Sequence, residues 1–262
     1  MSTDRVAAKR ELGQHFLVDE NILGVIGRLA ELDPDDVVLE IGPGLGVLTR
    51  YLAQRVSRVV AVEIDRSLEP QLTDQLAGAA NVDLVFGDAL ALDLAALRPP
   101  PRKLVANLPY NVATPIVVES LHGLPSIERW CVMVQREVAD RLFASPGTKD
   151  YGAVSVLVQL AAERTGFHPV SRMVFRPRPN VDSALVACRR RGPLPKRYGA
   201  IKTVVSAAFA HRRKTLPNSV ALAGLAPRER AAAALEAIGR EPCVRAEALA
   251  PPEFVALTEA LG

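Results

Sequence analysis

From about residue 37 to residue 188 the chain alternates short apolar runs with amphipathic stretches. The runs 37–41 (VVLEI), 58–64 (RVVAVEI), 82–86 (VDLVF), 103–106 (KLVA), 130–135 (WCVMVQ) and 184–189 (ALVACR) are too short for buried helices and rich in β-branched residues, so they predict buried strands. The run 155–163 reads as a strand on the same grounds. Stretches 48–55, 67–76 and 136–143, and one beginning at 116 just after Pro115, predict helices. Strand–helix alternation of this kind predicts an α/β fold, a doubly wound and mostly parallel sheet with helices on both faces. The runs 155–163 and 184–189 are separated by a loop, which predicts an antiparallel hairpin at one edge of the sheet.

After Arg190 the pattern changes. Gly192-Pro193-Leu194-Pro195 reads as a linker, and the Ala-rich stretches 200–209, 227–238 and 252–261 predict helices. The expected organisation is a domain at 1–190 and a small helical domain at 191–262. With 49% hydrophobic and 23% charged residues the chain can build a sizeable core, and pervasive disorder is excluded. No run of about 18 apolar residues predicts a membrane span, and residues 1–11 lack the apolar core of a secretory signal. The cytoplasm is the expected location. Cys131, Cys188 and Cys243 never form a C-x-x-C pair, and the four histidines have no metal-ligand spacing, so neither a disulfide framework nor a metal site is expected.

Charge changes the picture more than composition does. Residues 31–100 carry twelve acidic and five basic side chains, whereas 183–228 carry ten Lys or Arg and no acid. A basic third on a chain of net charge +3 predicts a polyanionic partner, nucleic acid above all.

The chemistry gathers at strand ends. Glu40-Ile41-Gly42-Pro43-Gly44-Leu45-Gly46 closes the first strand, and its glycines let a ligand approach the backbone. Glu40, two residues before Gly42, together with Pro43 and the early third glycine, favours S-adenosylmethionine over NAD. Glu63 ends the second strand about 20 residues on, where a carboxylate binds ribose hydroxyls. Asp88 follows the third strand; it can accept from an adenine amine or cap the following turn. Asn107-Leu108-Pro109-Tyr110 follows the fourth. There the Asn107 amide oxygen and the Leu108 carbonyl can accept the two hydrogens of an exocyclic amine, Pro109 stiffens the turn, and the Tyr110 ring can stack on a base, a contact worth about 1–3 kcal/mol. In a doubly wound sheet these strand ends share one crevice.

Taken together, these motifs resemble the KsgA/RsmA-type ribosomal RNA adenine dimethyltransferases, relatives of the Erm methyltransferases. The resemblance rests on Gly13-Gln14-His15-Phe16-Leu17, EIGPGLGVLT (40–49), Glu63, Gly87-Asp88, NLPYNVATPI (107–116), VQREVADRL (134–142), Tyr151-Gly152, FRPRPNVDSA (175–184) and HRRKTLPNS (211–219). The last is similar to the branch acting on the small subunit. The resemblance implies a Rossmann-like class I methyltransferase with a C-terminal helical domain. It implies S-adenosyl-L-methionine as cofactor, held by His15, Leu17, Gly42, Glu63, Asp88 and Asn107. Some family members carry Asn at position 15. It implies N6,N6-dimethylation of two adjacent adenosines in the 3′-terminal hairpin loop, helix 45, of 16S rRNA within an assembling small ribosomal subunit, by a monomer without metal. By the same similarity Phe175 is the candidate aromatic opposite Tyr110, with a core phenylalanine as the alternative. Arg176, Arg178, Arg212, Arg213 and Lys214 are the expected phosphate contacts, which position RNA without reading its sequence.

Three other readings compete. A methyltransferase acting on DNA, other RNA or protein glutamine usually carries Pro where this chain has Leu108. A binding-only assembly factor would not need an intact cofactor motif. An NAD dehydrogenase would need a second substrate domain.

Overall fold

The computed structural model describes residues 13–262. In chain order its elements are β1 (Phe16–Leu17), α1 (Glu20–Leu29), β2 (Val37–Ile41), α2 (Val47–Ala53), β3 (Arg58–Glu63), α3 (Glu69–Gln75), β4 (Val82–Phe86), β5 (Lys103–Asn107), α4 (Ala113–Gly123), β6 (Arg129–Gln135), α5 (Arg136–Leu142), α6 (Ala153–Ala161), β7 (Ala162–Val170), β8 (Phe175–Arg176), β9 (Ser183–Arg190), α7 (Tyr198–Phe209), α8 (Leu216–Leu222), α9 (Arg228–Ala237) and α10 (Pro251–Leu261). They pack as two units: residues up to Ala139 with Arg164–Arg190, and Asp140–Glu163 with Arg191–Gly262. The units therefore do not follow a single cut at residue 190.

The first unit is built on a seven-stranded sheet of order β4-β3-β2-β5-β6-β9-β7. Strands β2 to β6 run parallel, and β9 is antiparallel to β6. The chain winds outward to one side through β3 and β4, then returns to the other side of β2 as β5. That reversal opens a crevice beyond the carboxyl ends of β2 and β5. One face of the sheet presents Val38, Val59, Ala61, Val105, Cys131, Met133 and Leu185, alternate residues of five strands, to Ile22, Leu23 and Ile26 of α1 and Leu48 and Leu52 of α2. Asp19 starts α1 by accepting from the Asn21 amide at 2.8 Å. Helix α4 begins at Ala113, so Pro115 lies in its first turn, where no intrahelical N–H is lost. Its carboxyl end is closed by Arg190, whose guanidinium donates to the carbonyls of Leu121, Leu124 and Ile127. The edge strand β7 carries Pro169, which an outer strand tolerates.

The strand expected at 155–163 is a correction. Helix α6 occupies 153–161, and the strand follows it as β7. Alternating valines at 154, 156 and 158 mimic a strand, but an apolar run has no periodicity that separates a strand from a helix buried all round. The Ser155 hydroxyl decides the start: it accepts from the Gly152 amide and donates to the Arg141 carbonyl. The buried face of α6 (Val156, Leu157, Val158, Ala161) assigns this segment to the second unit. There Tyr198 Oη donates to the Leu157 carbonyl, and Tyr151 Oη donates to the Leu249 carbonyl at 2.7 Å. Phe209 packs edge-on to Tyr151 and against Phe254. Helix α8, with Pro217 in its first turn, adds a helix that the sequence pattern left as loop.

Candidate active site

Four strand ends meet at the crevice of the first unit. Gly42 and Gly44 follow β2 in left-handed conformations (φ +74° and +58°). A Cβ on Gly42 would stand 3.3 Å from the Pro109 ring, and one on Gly44 3.0 Å from Phe16. The left-handed backbone at both positions favours glycine, and a side chain there would also press on its neighbour. Glu63, at the end of β3, accepts from the Gly44 amide at 3.1 Å and the Asp65 amide at 2.9 Å. Burial raises its pKa, and the hydrogen bonds from Asp65 and Gly44 oppose that rise. The carboxylate is thus pinned by the glycine loop that it serves.

Two adjoining cavities open here. One is lined by residues 13–17, Glu40, the glycine loop, Glu63, Ile64 and 107–110. The other shares Gly42, Glu63, Ile64 and Pro109 and adds Gly87–Leu90, Asn111, Val112 and Ile116. The structure thus gathers His15, Leu17, Gly42, Glu63 and Asn107 on the first and Asp88 on the second. Asp88 is exposed, and its Oδ1 accepts from the Leu90 amide at 2.9 Å, so it also caps the turn that follows.

At the end of β5, Asn107 Nδ2 donates to the His15 carbonyl at 3.0 Å. The Leu108 amide donates to Met133 O, which continues the β5–β6 pairing one residue beyond the strand. Pro109 O then accepts from the Val112 amide and closes the turn. Tyr110 Oη lies 2.6 Å from Ser183 Oγ, and its ring packs against that of His15. Burial raises the phenol's pKa, with Asp182 adding to the rise and Ser183 opposing it, so Tyr110 stays neutral.

Phe175 is a correction. It is 2% exposed and packs in the core with Leu17, Leu23, Met133 and Leu185, so its ring is not free to cover a base here. Pairing of β8 with β1 sets Phe175 opposite Leu17 and turns both inward. Phe175→Ala is expected to destabilise the fold by about 3–5 kcal/mol, as cavity-forming Phe substitutions do. Chemical denaturation measures the loss.

All five arginines and lysines expected on phosphates, Arg176, Arg178, Arg212, Arg213 and Lys214, are exposed. Arg212 is in addition held within its unit: it donates to the carbonyls of Lys149 and Tyr151 and lies 3.6 Å from Glu247. It pins a loop of its own unit.

Two residues escaped the sequence reading, and a third, Glu40, was read only for its spacing. Ile64 and Leu90 are 53% and 43% exposed on the walls of the second cavity, as apolar plates suited to a flat ring. Each reads in sequence as the tail of an apolar run. Glu40 is 1% exposed, with Oε2 lacking a partner among the described residues. Burial, and to a lesser extent Glu63, pushes its pKa up to about 8, against the Thr49 hydroxyl, which lowers it. An orphaned buried carboxyl oxygen beside a glycine cradle suits a cationic amino-acid moiety, the apolar plates suit an adenine, and Glu63 suits a ribose. The residues present therefore fit S-adenosylmethionine. Among the described residues no cluster of His, Cys, Asp and Glu is placed to hold a metal, and no helix is long and apolar enough to cross a membrane.

Comparison with known proteins agrees with this geometry. Residues 5–250 match the family model described as ribosomal RNA adenine dimethylase. The chain is 50% identical to ribosomal RNA small subunit methyltransferase A of Rubrobacter xylanophilus, with 95% of this chain and 93% of that protein covered. It is 46% identical to the protein of the same name from Lactiplantibacillus plantarum, covering all of this chain and 92% of that one. Among solved structures, a dimethyladenosine transferase from Plasmodium falciparum superposes with a TM-score of 0.75 at 23% identity, over 93% of this chain and 96% of that one. The 23S rRNA methyltransferase ErmE superposes at 0.67 with 32% identity, over 94% and 99%. The sheet order, the glycine cradle and the NLPY turn thus sit in a methyltransferase, and the chain belongs to the ribosomal RNA adenine dimethylase family.

Proposed function

We propose that this methyltransferase dimethylates N6 of two adjacent adenosines in the 3′-terminal hairpin loop, helix 45, of 16S rRNA, during assembly of the small ribosomal subunit. The observation that carries the reading is the Asn107 carboxamide. With Nδ2 committed to the His15 carbonyl, Oδ1 is left to accept one amine hydrogen, and the Leu108 carbonyl takes the other. Two acceptors draw the nitrogen lone pair out of conjugation with the base.

S-adenosylmethionine supplies a methyl group already activated by its sulfonium. Glu40 would face its ammonium and Glu63 its ribose, Ile64 and Leu90 would hold its adenine, and Leu17 and the glycine loop would line the rest. What remains for the protein is positioning and exclusion of water, and orientation alone can supply about 7–11 kcal/mol. The target adenosine must leave its stack, which costs less from a loop than from a duplex. Tyr110 then covers one face of the base. The amine nitrogen attacks the methyl carbon as the bond to sulfur breaks, leaving a neutral thioether; the nitrogen becomes cationic and sheds its proton readily, so no dedicated base is needed. Arg176, Arg178, Arg213 and Lys214 bind phosphates, and the basic 191–262 segment with 140–163 holds the RNA. The enzyme acts as a cytoplasmic monomer without metal.

The curated relatives support the small subunit through their names; the ErmE structure raises 23S rRNA as the alternative. Both can be offered to the enzyme as purified subunits lacking the modification. Mass spectrometry of ribonuclease fragments is expected to find dimethyladenosine at two adjacent positions near the 3′ end of 16S rRNA. Dimethyladenosine in 23S rRNA alone would overturn the assignment.

A further inference from the structure

Contacts at residue 15 converge on the amine-holding turn. The His15 carbonyl accepts from Asn107 Nδ2. The imidazole packs on the Tyr110 ring, with centroids 5.1 Å apart and planes 34° from parallel. Its Nδ1 lies 2.7 Å from the Pro177 carbonyl oxygen. A carbonyl can only accept, so Nδ1 carries a proton. Pro177 sits between the exposed Arg176 and Arg178, directly after β8, and β8 pairs with β1 next to His15. One imidazole therefore joins the segment bearing those arginines to the turn bearing the carboxamide. The rest of the segment is seated as closely: Gly13 starts it at φ +63°, where a Cβ would reach 3.1 Å from the Asn111 side chain, and Gln14 donates to Asp65.

We infer that His15 is a positioning residue for the methyl acceptor: its bond to Pro177 holds the 13–17 segment so that the Asn107 amide and the Tyr110 ring are presented in one orientation. A primary amide is nearly symmetric in shape. Rotated by half a turn, Asn107 would set an N–H donor against the amine it must accept from. The His15 carbonyl prevents this, because the rotation would place two acceptors face to face. The side chain of His15 matters because it fixes where that carbonyl stands. The inference adds a role distinct from the cofactor contact that the family resemblance implies for this residue, and it rests on the reading of Asn107 as the amine acceptor.

The test compares His15→Ala with the isosteric pair His15→Asn and His15→Asp in the full-length enzyme, alongside Asn107→Ala. The Asn side chain can place an N–H where His15 Nδ1 stands; the Asp side chain, ionised, cannot. His15→Ala and His15→Asp are expected to lower kcat about 10- to 100-fold, the scale of a small misplacement of reacting groups. His15→Asn is expected to stay within about fivefold of the parent, because it keeps the bond. In His15→Ala and His15→Asp the Kd for S-adenosylhomocysteine, read by calorimetry, is expected to change by a much smaller factor than kcat. Should His15→Ala lose its fold in a melting scan, the Asn and Asp pair carries the comparison. Full activity of His15→Asp, or cofactor affinity falling in step with kcat, would overturn the inference. If Asn107→Ala keeps its rate, the acceptor reading fails and takes this one with it. If Asn107→Ala is inactive while His15→Asp is not, only the role of His15 falls.

Discussion

Asn107→Ala is expected to lower kcat about 10²–10³-fold, the usual cost of deleting one preorganised polar group aimed at reacting atoms. The effect should fall on kcat with little change in the affinity for S-adenosylhomocysteine, since the carboxamide is assigned to the amine. Stability should change little by comparison. Asn107 is half-buried, and its removal leaves one carbonyl, that of His15, without its donor, at about 1–3 kcal/mol. Single-turnover methyl transfer, read beside a denaturation curve, separates the two. A variant that loses stability and rate together would mean that the amide matters to the fold and not to the amine.

The second large effect concerns Glu40 and is a matter of pH. In an unfolded chain its carboxyl titrates near 4.5; in the cofactor-free fold burial holds it protonated up to about 8. Between those values the folded state retains a proton that the unfolded state has released. Stability from this group is therefore complete below 4.5 and is lost as pH rises towards 8, by at most about 1.4 kcal/mol per pH unit. The Glu63 carboxylate at the end of β3 acts in the same direction, and the Thr49 hydroxyl opposes it. Glu40→Gln, neutral at every pH, should flatten this slope. The variant is thus expected to match the parent near pH 5 and to exceed its denaturant midpoint near pH 8.5, while binding S-adenosylhomocysteine more weakly. Equal slopes for parent and variant would mean that Glu40 ionises in the fold without penalty.

Much of this was legible in the sequence, for reasons that also explain the misses. The strands β2, β3, β5 and β6 are buried on both faces, so each stands out as a short apolar run between turn residues, while β4 is a half-buried edge strand. Their order along the chain sufficed to predict that Gly42, Glu63, Asp88 and Asn107 would meet. Helix α6 was misread because its apolar surface runs all round and leaves no period to count. Phe175 was misplaced because its motif says nothing about which way the ring turns; that is settled by the pairing of β8 with β1, two residues long and 160 apart in sequence. Arg212 lies in the densest basic cluster, yet it spends its guanidinium on the carbonyls of Lys149 and Tyr151, contacts that charge counting cannot foresee. Ile64 and Leu90 escaped because an exposed apolar residue at the end of an apolar strand or turn looks like the strand itself. Glu40 was noticed for its spacing, but its orphaned oxygen is a fact of packing.

The central claim is that the NLPY turn presents an adenosine amine of small-subunit RNA for methylation. It is tested most directly by transfer of label from S-adenosylmethionine to small ribosomal subunits lacking the modification, with the parent enzyme and Asn107→Ala side by side. The account predicts label recovered as N6,N6-dimethyladenosine with the parent and nearly none with the variant. Label of equal amount in both, or none in either although the subunit is bound tightly, would contradict it.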